Sequence, residues 1–551
     1  MTVLRRYWLW NVEIEIRRLG SDCIFMSKHS LILIAILGVA AFFRLWQLGN
    51  VPASPSLDEV SIGYNAYSLQ QTGMDEFGTK FPIILRAYDD WRPALYVYFV
   101  IPFVWMMGLS AVSVRMPSVI VSILSIWATY EVAKELVSSD ALPHKSYTAY
   151  GAYGTVVGLV SAFLLAISPW HIYISRLGHE ANAGLAFFIF GGMFFLKKRY
   201  VACSICYALS FMSYQSEKIV VPLMVAGIAV LFYKQLWKDK MKLIIPAIIA
   251  ISLITPFVIA SLQPDALIRF TATGVIRPET PVSSIPGIVF WQYISHFNPV
   301  WLFSNGGADA HKVPRLGILY WWEGLFALSG IVWLIRRLMK ERHWRKAGFI
   351  FLWLLIGAVP AAITSGAPHV MRSMTSLPMW QVLAALGIYG ALNGLKKFSK
   401  AAIVSVGLLV LWSISGLFTH YFHTFPNEQS ESFQYALSKA IPYVRANEQA
   451  YDRIVFSNEK HLYQSYMFFL FYSLYDPVMY QEQGGTVSGG YAETHSFGKY
   501  EFRPVDGKHE PVLQSGKTLY IGNIDDFPEN TDRLTTFTSL SGDETIIAVE
   551  R

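Results

Sequence analysis

The sequence PSLDEVSIGYNAYSLQQTGMDEFGTKFPIILRAYDDWRPALY, residues 55–96, follows the first long apolar segment and decides how the rest of the chain is interpreted. It contains an Arg-Pro step at Arg92–Pro93 and six carboxylates: Asp58, Glu59, Asp75, Glu76, Asp89 and Asp90. Only 15% of the 551 residues are charged, so six acids in one short stretch are a marked concentration. We expect the chemistry of the protein to begin there.

The composition as a whole is typical of a membrane protein. Hydrophobic residues make up 53% of the chain and the mean hydropathy is +0.37. Soluble domains contain about 25% charged residues, well above the fraction found here. Repeated apolar stretches of spanning length therefore predict a polytopic α-helical membrane protein. The net charge of +7 comes from short basic clusters between these stretches, which indicates membrane topology rather than nucleic-acid binding. The three cysteines do not form a disulfide framework.

Basic residues predict the orientation of the spans, because cytoplasmic loops are enriched in Lys and Arg. Residues 1–29 are interpreted as a cytoplasmic amphipathic segment and residues 30–48 as the first span, so the acidic stretch faces outward. The apolar run 94–108 is interpreted as an interfacial or re-entrant helix, because counting it as a span would place the later basic clusters outside. Residues 30–421 then contain about eleven spans, with Arg115 at the outer end of the second as the exception.

The tail, residues 422–551, has an ordinary mixed composition and predicts a small extracytoplasmic α/β domain. Three segments have β-strand character: DRIVFS (452–457), KTLYIG (517–522) and ETIIAV (544–549). Residues 431–444 predict a helix, and the apolar segment 465–475 predicts a buried helix because it is too short to span a membrane. The chain thus divides into a cytoplasmic segment (1–29), a transmembrane catalytic domain (30–421) and the tail domain (422–551).

The loops predicted to face outward hold most of the unusual polar residues. Besides the acids of the first loop they contain Arg92, Arg176, His179, Glu180, Lys218, His369 and Arg372. Acids surrounded by cations suit group transfer from a phosphate leaving group. A carboxylate can take the proton of an acceptor while Arg or Lys stabilises the departing phosphate.

Several of these residues have structural alternatives. Ser56 and Glu59 match the S-x-x-E capping box, so Glu59 is either a helix cap or part of the chemistry. Arg86 and Arg115 either take part in the chemistry or extend to lipid headgroups. The outward histidines are scattered without metal-ligand spacing, and the sequence contains neither G-x-S-x-G nor a phosphate-binding glycine loop.

A set of short motifs extends from the first span to the long outward loop. They are Leu57-Asp58-Glu59, Tyr64-Asn65-Ala66, Gly73–Asp75, Arg92–Tyr96, Arg115–Ser118, Ser175-Arg176 with Glu180, and Phe297-Asn298-Pro299 with Leu302-Phe303. This pattern resembles the polytopic GT-C glycosyltransferases, in particular the branch of dolichyl-phosphate-mannose protein mannosyltransferases and bacterial aminoarabinose transferases. The resemblance covers roughly residues 30–420 and does not extend to the tail.

The resemblance implies transfer of a sugar from a polyprenyl- or dolichyl-phosphate donor to an acceptor on the outer side of the membrane, with inversion. It implies that Asp58 is the catalytic base or positions the acceptor, and that Glu59 and Glu180 are further catalytic candidates. Many relatives carry Asp at the position of Glu180. The phosphate contacts that it implies are Arg92, Arg176, Lys218, His369 and Arg372. Relatives differ in their use of a divalent metal ion, so a metal cofactor stays open.

The expected partners are a polyprenyl-phosphate sugar, membrane lipid and an acceptor of unknown type (lipid, glycan or protein), without nucleic acid. The expected location is the plasma membrane. The alternative is a polytopic transporter or lipid flippase, although transporters place polar residues near the bilayer midplane, often in paired halves. Here the midplane segments carry almost no charge and no second half repeats the first. A membrane sensor that displays the tail would leave the first-loop acids unexplained.

Overall fold

The computed structural model describes residues 28–88, 90–137, 144–263, 274–275, 277, 280–304, 311–341, 344–394, 399–487, 494–510 and 516–551. The predicted cytoplasmic segment 1–29 therefore lies almost entirely outside the described residues, and so does Asp89.

Helices dominate the first part of the chain. Their bounds are α1 (Lys28–Leu45), α2 (Leu57–Thr72), α3 (Leu95–Met107), α4 (Ala111–Val137), α5 (His144–Ile167), α6 (Pro169–Ser175), α7 (Glu180–Leu196), α8 (Tyr200–Phe211), α9 (Glu217–Leu231), α10 (Tyr233–Lys238), α11 (Ile244–Ser261), α12 (Ile285–Ser295), α13 (Pro299–Phe303), α14 (Trp321–Glu341), α15 (Trp344–Ile356), α16 (Val359–Ala362), α17 (Met379–Gly394), α18 (Ser399–Leu417) and α19 (Phe425–Glu428). Between α2 and α3 lies an antiparallel hairpin of β1 (Ile84–Ala87) and β2 (Asp90–Pro93).

Among the described residues, 6 helical segments are long and apolar enough to cross a membrane. They are Lys28–Leu45, Ala111–Val137, Lys240–Ser261, Trp344–Ala362, Met374–Gly394 and Lys400–Glu428. The number of candidate spans rises to 7 if the bent pair of helices Tyr153–Ile167 and Pro169–Ser175 forms one span. The prediction of about eleven spans is confirmed only to this extent. Helices α7, α8 and α9, which lie in the region predicted to contain about eleven spans, have 17, 12 and 15 residues and are shorter than each of the 6 spanning segments.

Helix α3 corresponds to the apolar run that was predicted not to cross. It has 13 residues, and at 1.5 Å per residue it is roughly 20 Å long, too short for a hydrocarbon core of about 30 Å. Its C-terminal residues Trp105 and Met106 are 73% and 61% exposed. Both its length and these apolar side chains agree with a helix that lies at the membrane boundary.

The C-terminal part of the chain contains a six-stranded mixed sheet with the order β4-β5-β3-β6-β8-β7. Its elements are α20 (Tyr435–Asn447), β3 (Arg453–Phe456), α21 (Ser465–Tyr472), α22 (Pro477–Glu482), β4 (His495–Phe497), β5 (Tyr500–Phe502), β6 (Thr518–Asn523), β7 (Thr535–Thr538) and β8 (Glu544–Glu550). Strand β3 pairs in parallel with β5 and β6, and the other pairs are antiparallel. The three predicted strands are β3, β6 and β8, and the predicted buried helix is α21.

This sheet and its helices share one hydrophobic core with α2, α3 and the β1–β2 hairpin. At the centre of the contact, a Cβ on Gly63 would lie 2.6 Å from the ring of Phe471, so α2 and α21 can approach this closely only because residue 63 is glycine. A second core joins the membrane helices. Helix α2, which begins beside Asp58, therefore lies between the helical bundle and the C-terminal sheet.

Candidate active site

Helix α2 begins with the capping box that the sequence predicted. The Ser56 side chain accepts from the backbone N–H of Glu59, and the Glu59 carboxylate accepts from the backbone N–H of Ser56 at 2.8 Å. This cap places Asp58 and Glu59 in the first turn, where the unpaired N–H groups of the helix favour negative charge. The two neighbouring carboxylates nevertheless point into different environments.

Glu59 is fully buried and forms an ion pair with Arg115, whose Nε lies 2.7 Å from Oε1. The same oxygen accepts from the backbone N–H of Gly178 at 2.9 Å. Arg115 is fully buried as well and donates to the carbonyls of Leu48, Pro52 and Ser54. We call Glu59–Arg115 the closed pair, because its charges are neutralised within the fold.

The closed pair corrects one sequence interpretation. Arg115 does not extend to lipid headgroups, since its guanidinium lies at 0% exposure against the turn that follows α1. Its positive charge is paired with the buried Glu59 carboxylate within the fold.

Asp58 forms the second pair, with Arg92 of strand β2. Hairpin register sets Arg92 opposite Leu85, and its Nη2 donates to Asp58 Oδ1 at 2.8 Å. The Asp58 side chain is 38% exposed and that of Arg92 is 6% exposed. Within the described part of the chain, the buried Nε and Nη1 of Arg92 have no hydrogen-bond partner. We call Asp58–Arg92 the open pair, because it keeps donors and solvent access available.

The electrostatics of the open pair keep Asp58 ionised. Desolvation alone would raise the pKa of this carboxyl, but the Arg92 guanidinium and His179 outweigh it and hold the pKa well below its ordinary value. The pKa of Arg92 is raised by Asp58 and Glu180 despite desolvation. At neutral pH the pair is therefore a carboxylate beside a permanently charged guanidinium.

His179 and Glu180 form the third side of the site, at the start of α7. His179 Nε2 lies 3.6 Å from Asp58 Oδ2, and its Nδ1 lies 3.5 Å from Glu180 Oε2. The Glu180 side chain is 3% exposed, and Oε2 is a buried atom without a hydrogen-bond partner in the described residues. From the sequence alone, His179 was predicted to lie in an outward-facing loop but not in the site. The signal that could have identified it was its position next to Glu180.

Arg176 does not fit the phosphate contact that was predicted for it. It is fully buried, and its two terminal nitrogens donate to the carbonyls of Phe43, Arg44, Gln47 and Val51 at the end of α1. Its guanidinium also lies over the ring of Phe422 at 4.9 Å. Carbonyls at a helix C-terminus attract cations. The contacts of Arg176 therefore indicate a structural role in fixing the end of the first helix.

The remaining predicted phosphate contacts lie elsewhere, with Lys218 in the first turn of α9 and His369 and Arg372 between α16 and α17. Lys218 donates to Ser261 at 3.2 Å and lies over the ring of Phe257 at 4.8 Å. Arg372 donates from its guanidinium to the Ser365 carbonyl at 2.8 Å and from its backbone N–H to His369. These contacts leave the predicted phosphate-binding role of the three residues untested.

The donor set gives no support for a resident metal ion. Among the residues that the structure describes, no group of three or more His, Cys, Asp or Glu side chains is placed to hold one. In addition, Asp58 Oδ1 already accepts from a guanidinium.

A cleft of about 600 Å³ lies between the segment after α1, the N-terminus of α4 and the helices α20 and α21. Its polar lining includes Ser54, Ser110 and Lys439, and its apolar lining includes Leu109 and Leu540. Asp58, Arg92 and Glu180 do not line this cleft. It adjoins the segment that leads into α2 but is separate from the open pair.

The architecture is similar to that of ArnT from Cupriavidus metallidurans. The crystal structure of ArnT in the apo state matches with a TM-score of 0.55 and 12% identity, over 94% of this chain and 97% of that chain. ArnT bound to undecaprenyl phosphate matches with a TM-score of 0.55 and 11% identity over the same shares. The Archaeoglobus fulgidus oligosaccharyltransferase in complex with Zn and sulfate matches with a TM-score of 0.49 and 12% identity, over 80% of this chain and 61% of that chain. No family model and no curated protein sequence matches the chain.

ArnT is a GT-C glycosyltransferase, and the similarity extends over nearly the whole of both chains. The predicted resemblance to the GT-C superfamily is therefore confirmed at the level of the fold. With identities of 11–12%, the comparison concerns architecture and not the identity of substrates. It also includes the tail, which the sequence motifs did not cover.

Proposed function

We propose that the protein is a glycosyltransferase that moves a sugar from a polyprenyl-phosphate donor to an acceptor, with inversion at the anomeric carbon. The observation that carries this proposal is the open pair. Arg92 is almost completely buried, yet only Nη2 is bound to Asp58, and Nε and Nη1 have no partner among the described residues. Buried guanidinium donors are costly to leave unpaired, and phosphate oxygens are among their best ligands.

The open pair can serve both halves of the transfer. Asp58 is ionised and accessible, so it can accept a hydrogen bond from the acceptor hydroxyl and take its proton as the new glycosidic bond forms. The bond between the anomeric carbon and the phosphate oxygen breaks, and its electrons leave with the phosphate. Arg92 stabilises the negative charge that develops there. The products are the glycosylated acceptor and the polyprenyl phosphate.

The other carboxylates receive supporting roles in this proposal. Glu180 is buried beside His179 and contributes to the electrostatic environment of Arg92. Glu59 holds Arg115 and the N-cap, so it positions the turn that presents Asp58. The fold shared with ArnT supports the choice of donor, because one of the matching ArnT structures is bound to undecaprenyl phosphate.

The proposal places the site and residues 422–551 on the extracytoplasmic face. Its support is the distribution of basic clusters, which the positive-inside rule assigns to the cytoplasm. We further propose that residues 422–551 form an α/β domain that covers the first outer loop. Single cysteines at Ser399 and Ser541, in a background without the three native cysteines, test the orientation. We expect an impermeant maleimide to label Ser541→Cys in intact cells and Ser399→Cys only after lysis. Labelling in the reverse order would contradict the orientation.

The function can be tested without knowing the sugar. We expect mass spectrometry of lipids, glycans and surface proteins to find a glycosylated product in cells with the wild-type chain that is missing from cells with Asp58→Asn at equal expression. Purified protein should then convert the corresponding polyprenyl-phosphate sugar to polyprenyl phosphate. Identical profiles in the two strains would contradict the proposal. Substrate flux through proteoliposomes without bond cleavage would favour the transporter or flippase instead.

A further inference from the structure

His179 lies between two carboxylates at the edge of the open pair. Its Nε2 is 3.6 Å from Asp58 Oδ2 and its Nδ1 is 3.5 Å from Glu180 Oε2. The ring packs edge-on against Tyr214 at 5.7 Å between centroids. The groups that face the imidazole are therefore Asp58 on α2, Arg92 behind it on β2, Glu180 on α7 and Tyr214 before α9.

A backbone contact determines which nitrogen of His179 carries the proton. His179 is the N-cap of α7, with extended backbone dihedrals, and its Nδ1 accepts from the backbone N–H of Ala181 at 3.1 Å. A neutral imidazole that accepts at Nδ1 has its proton on Nε2. If the ring takes a second proton, that proton goes to Nδ1, next to Glu180. Nε2 therefore carries a hydrogen toward Asp58 in both charge states.

This arrangement places one nitrogen beside each oxygen of Asp58. Arg92 Nη2 donates to Oδ1 at 2.8 Å, and His179 Nε2 lies 3.6 Å from Oδ2. A small shift of either side chain would bring the Nε2–H of His179 within hydrogen-bond distance of the carboxylate. The capped tautomer also means that His179 cannot take the proton of Asp58 at Nε2, because that position is already protonated.

We propose that His179 is a positioning residue of the transferase, which orients the Asp58 carboxylate and keeps it ionised by donating from Nε2 while its Nδ1 caps α7. The inference rests on the proposed function for its catalytic meaning, but its geometry concerns the ionisation of Asp58 alone. Glu180 and Asp58 raise the pKa of His179 against the effect of desolvation, and a second proton at Nδ1 would replace the cap with a contact to Glu180 while Nε2 keeps its hydrogen.

Two substitutions of His179 test the roles of its two ring nitrogens separately. In His179→Asn, the short side chain can still accept from the Ala181 N–H, since Asn is a good N-cap, but it does not reach Asp58. In His179→Gln, the amide can place an N–H near the position of Nε2, but the cap at Nδ1 is lost. A purely structural histidine predicts that Asn preserves activity and Gln impairs it. The positioning role predicts the opposite order.

The experiment measures the titration of Asp58 and the pH profile of transfer in the wild type and both variants. The protonated carboxyl stretch that is absent in Asp58→Asn reports the midpoint by infrared spectroscopy. We expect this midpoint to rise by about one pH unit in His179→Asn and less in His179→Gln, because removal of the donor destabilises the anion. We expect kcat/KM to fall about tenfold in His179→Asn at an unchanged melting temperature, with the acid limb of the profile moved to higher pH.

The outcomes distinguish this inference from the proposed function. A wild-type Asp58 midpoint and acid limb in His179→Asn would overturn the role of His179, whatever the activity of the wild type. A raised midpoint in His179→Asn without transfer by any form of the protein would support the contact and contradict the transferase. If only His179→Gln loses activity, and its melting temperature falls as well, His179 acts only as a helix cap and the positioning role is wrong.

Discussion

The open pair and the closed pair begin at adjacent residues of α2, but they differ in burial and in the number of donors that lack a partner. In the closed pair, Glu59 and Arg115 are both at 0% exposure, and Glu59 accepts from Arg115, Ser56 and Gly178. In the open pair, Asp58 is 38% exposed and Arg92 retains two nitrogens without partners in the described structure. The chemical groups are the same, but only the open pair has capacity left for a ligand.

The difference shows how one acidic dipeptide can supply both stability and chemistry. A buried ion pair is strongly destabilised when one partner is removed, because the other charge is left without compensation. A pair that is saturated by the fold cannot also bind a substrate. The first-turn geometry of α2 points consecutive side chains in different directions, so Glu59 anchors the turn and Asp58 is presented by it. Four substitutions test this division.

The largest effect is expected for Asp58→Asn. Asn cannot accept the acceptor proton, so we expect kcat/KM for sugar transfer to fall by about 10³-fold, with the melting temperature of the detergent-purified protein unchanged. The check is a transfer assay beside a thermal unfolding curve. Retained turnover would exclude Asp58 as the base. A large loss of stability would remove the distinction between the two pairs.

Glu59→Gln is expected to act on stability first. The substitution leaves the Arg115 guanidinium buried without a counter-charge and replaces the acceptor for the Ser56 N–H with a donor, so the free energy of unfolding should fall by about 3 kcal/mol. Thermal or denaturant unfolding in detergent measures this. A normal melting temperature together with lost transfer would indicate that Glu59 takes part in the reaction and does not serve mainly to stabilise the fold.

Arg92→Lys tests whether the open pair needs a guanidinium or only a positive charge. Lys retains the charge but offers one nitrogen in place of three, so it cannot hold Asp58 and a phosphate in the same way. We expect kcat/KM for the polyprenyl-phosphate sugar to fall by about 30-fold, through a lower kcat as well as a higher KM. Arg86→Lys on strand β1 is the matched control, because Arg86 lies over the Phe77 ring at 4.4 Å. Equal losses in both variants would indicate damage to the hairpin.

Glu76 extends the comparison to a buried carboxylate whose described hydrogen-bond partners include no cation. Asn65, Tyr466 and Thr486 donate to it, and burial raises its pKa from 4.5 to about 7. Its contribution to stability is thus complete below pH 4.5 and is lost as the pH rises through about 7. Between pH 6 and pH 8 we expect a loss of about 1 kcal/mol.

Glu76→Gln should remove this part of the pH dependence, as thermal unfolding at several pH values would show. The exposed Glu482→Gln, in the neighbouring helix α22, is the control and should keep the wild-type slope. An unchanged slope in Glu76→Gln would mean that Glu76 stays ionised in the interface between the first loop and the C-terminal sheet.

Features that depend on near neighbours were predictable. The capping box needs only Ser56 and Glu59, three residues apart, and it formed as predicted. The length of α3 and the strands β3, β6 and β8 follow from local hydropathy and β propensity. The membrane character follows from composition. The number of spans is confirmed only in part, because α7, α8 and α9 have 17, 12 and 15 residues, at or below the short end of the length that crosses a membrane.

Partners that are distant in the chain were not predictable. No feature of the sequence near Glu59 indicates that Arg115 is its partner. In the same way, no feature near Asp58 indicates His179, which lies close to Asp58 only because α7 begins beside α2. The same holds for Arg176, whose outward-loop position suggested phosphate binding, whereas the fold directs it to the end of α1. Charge identifies candidates, but packing decides which of them are already satisfied.

The sequence by itself determined that this is a helical membrane protein with an acidic first loop, because hydropathy and charge are properties of composition and order. It also identified Asp58 and Arg92 within one stretch. Only the tertiary structure decided that Arg92 pairs with Asp58, that Arg115 neutralises Glu59, and that the C-terminal sheet packs on α2. The physical reason is that burial and pairing are set by contacts between distant segments, and these decide whether a charge supports the fold or remains available for a ligand.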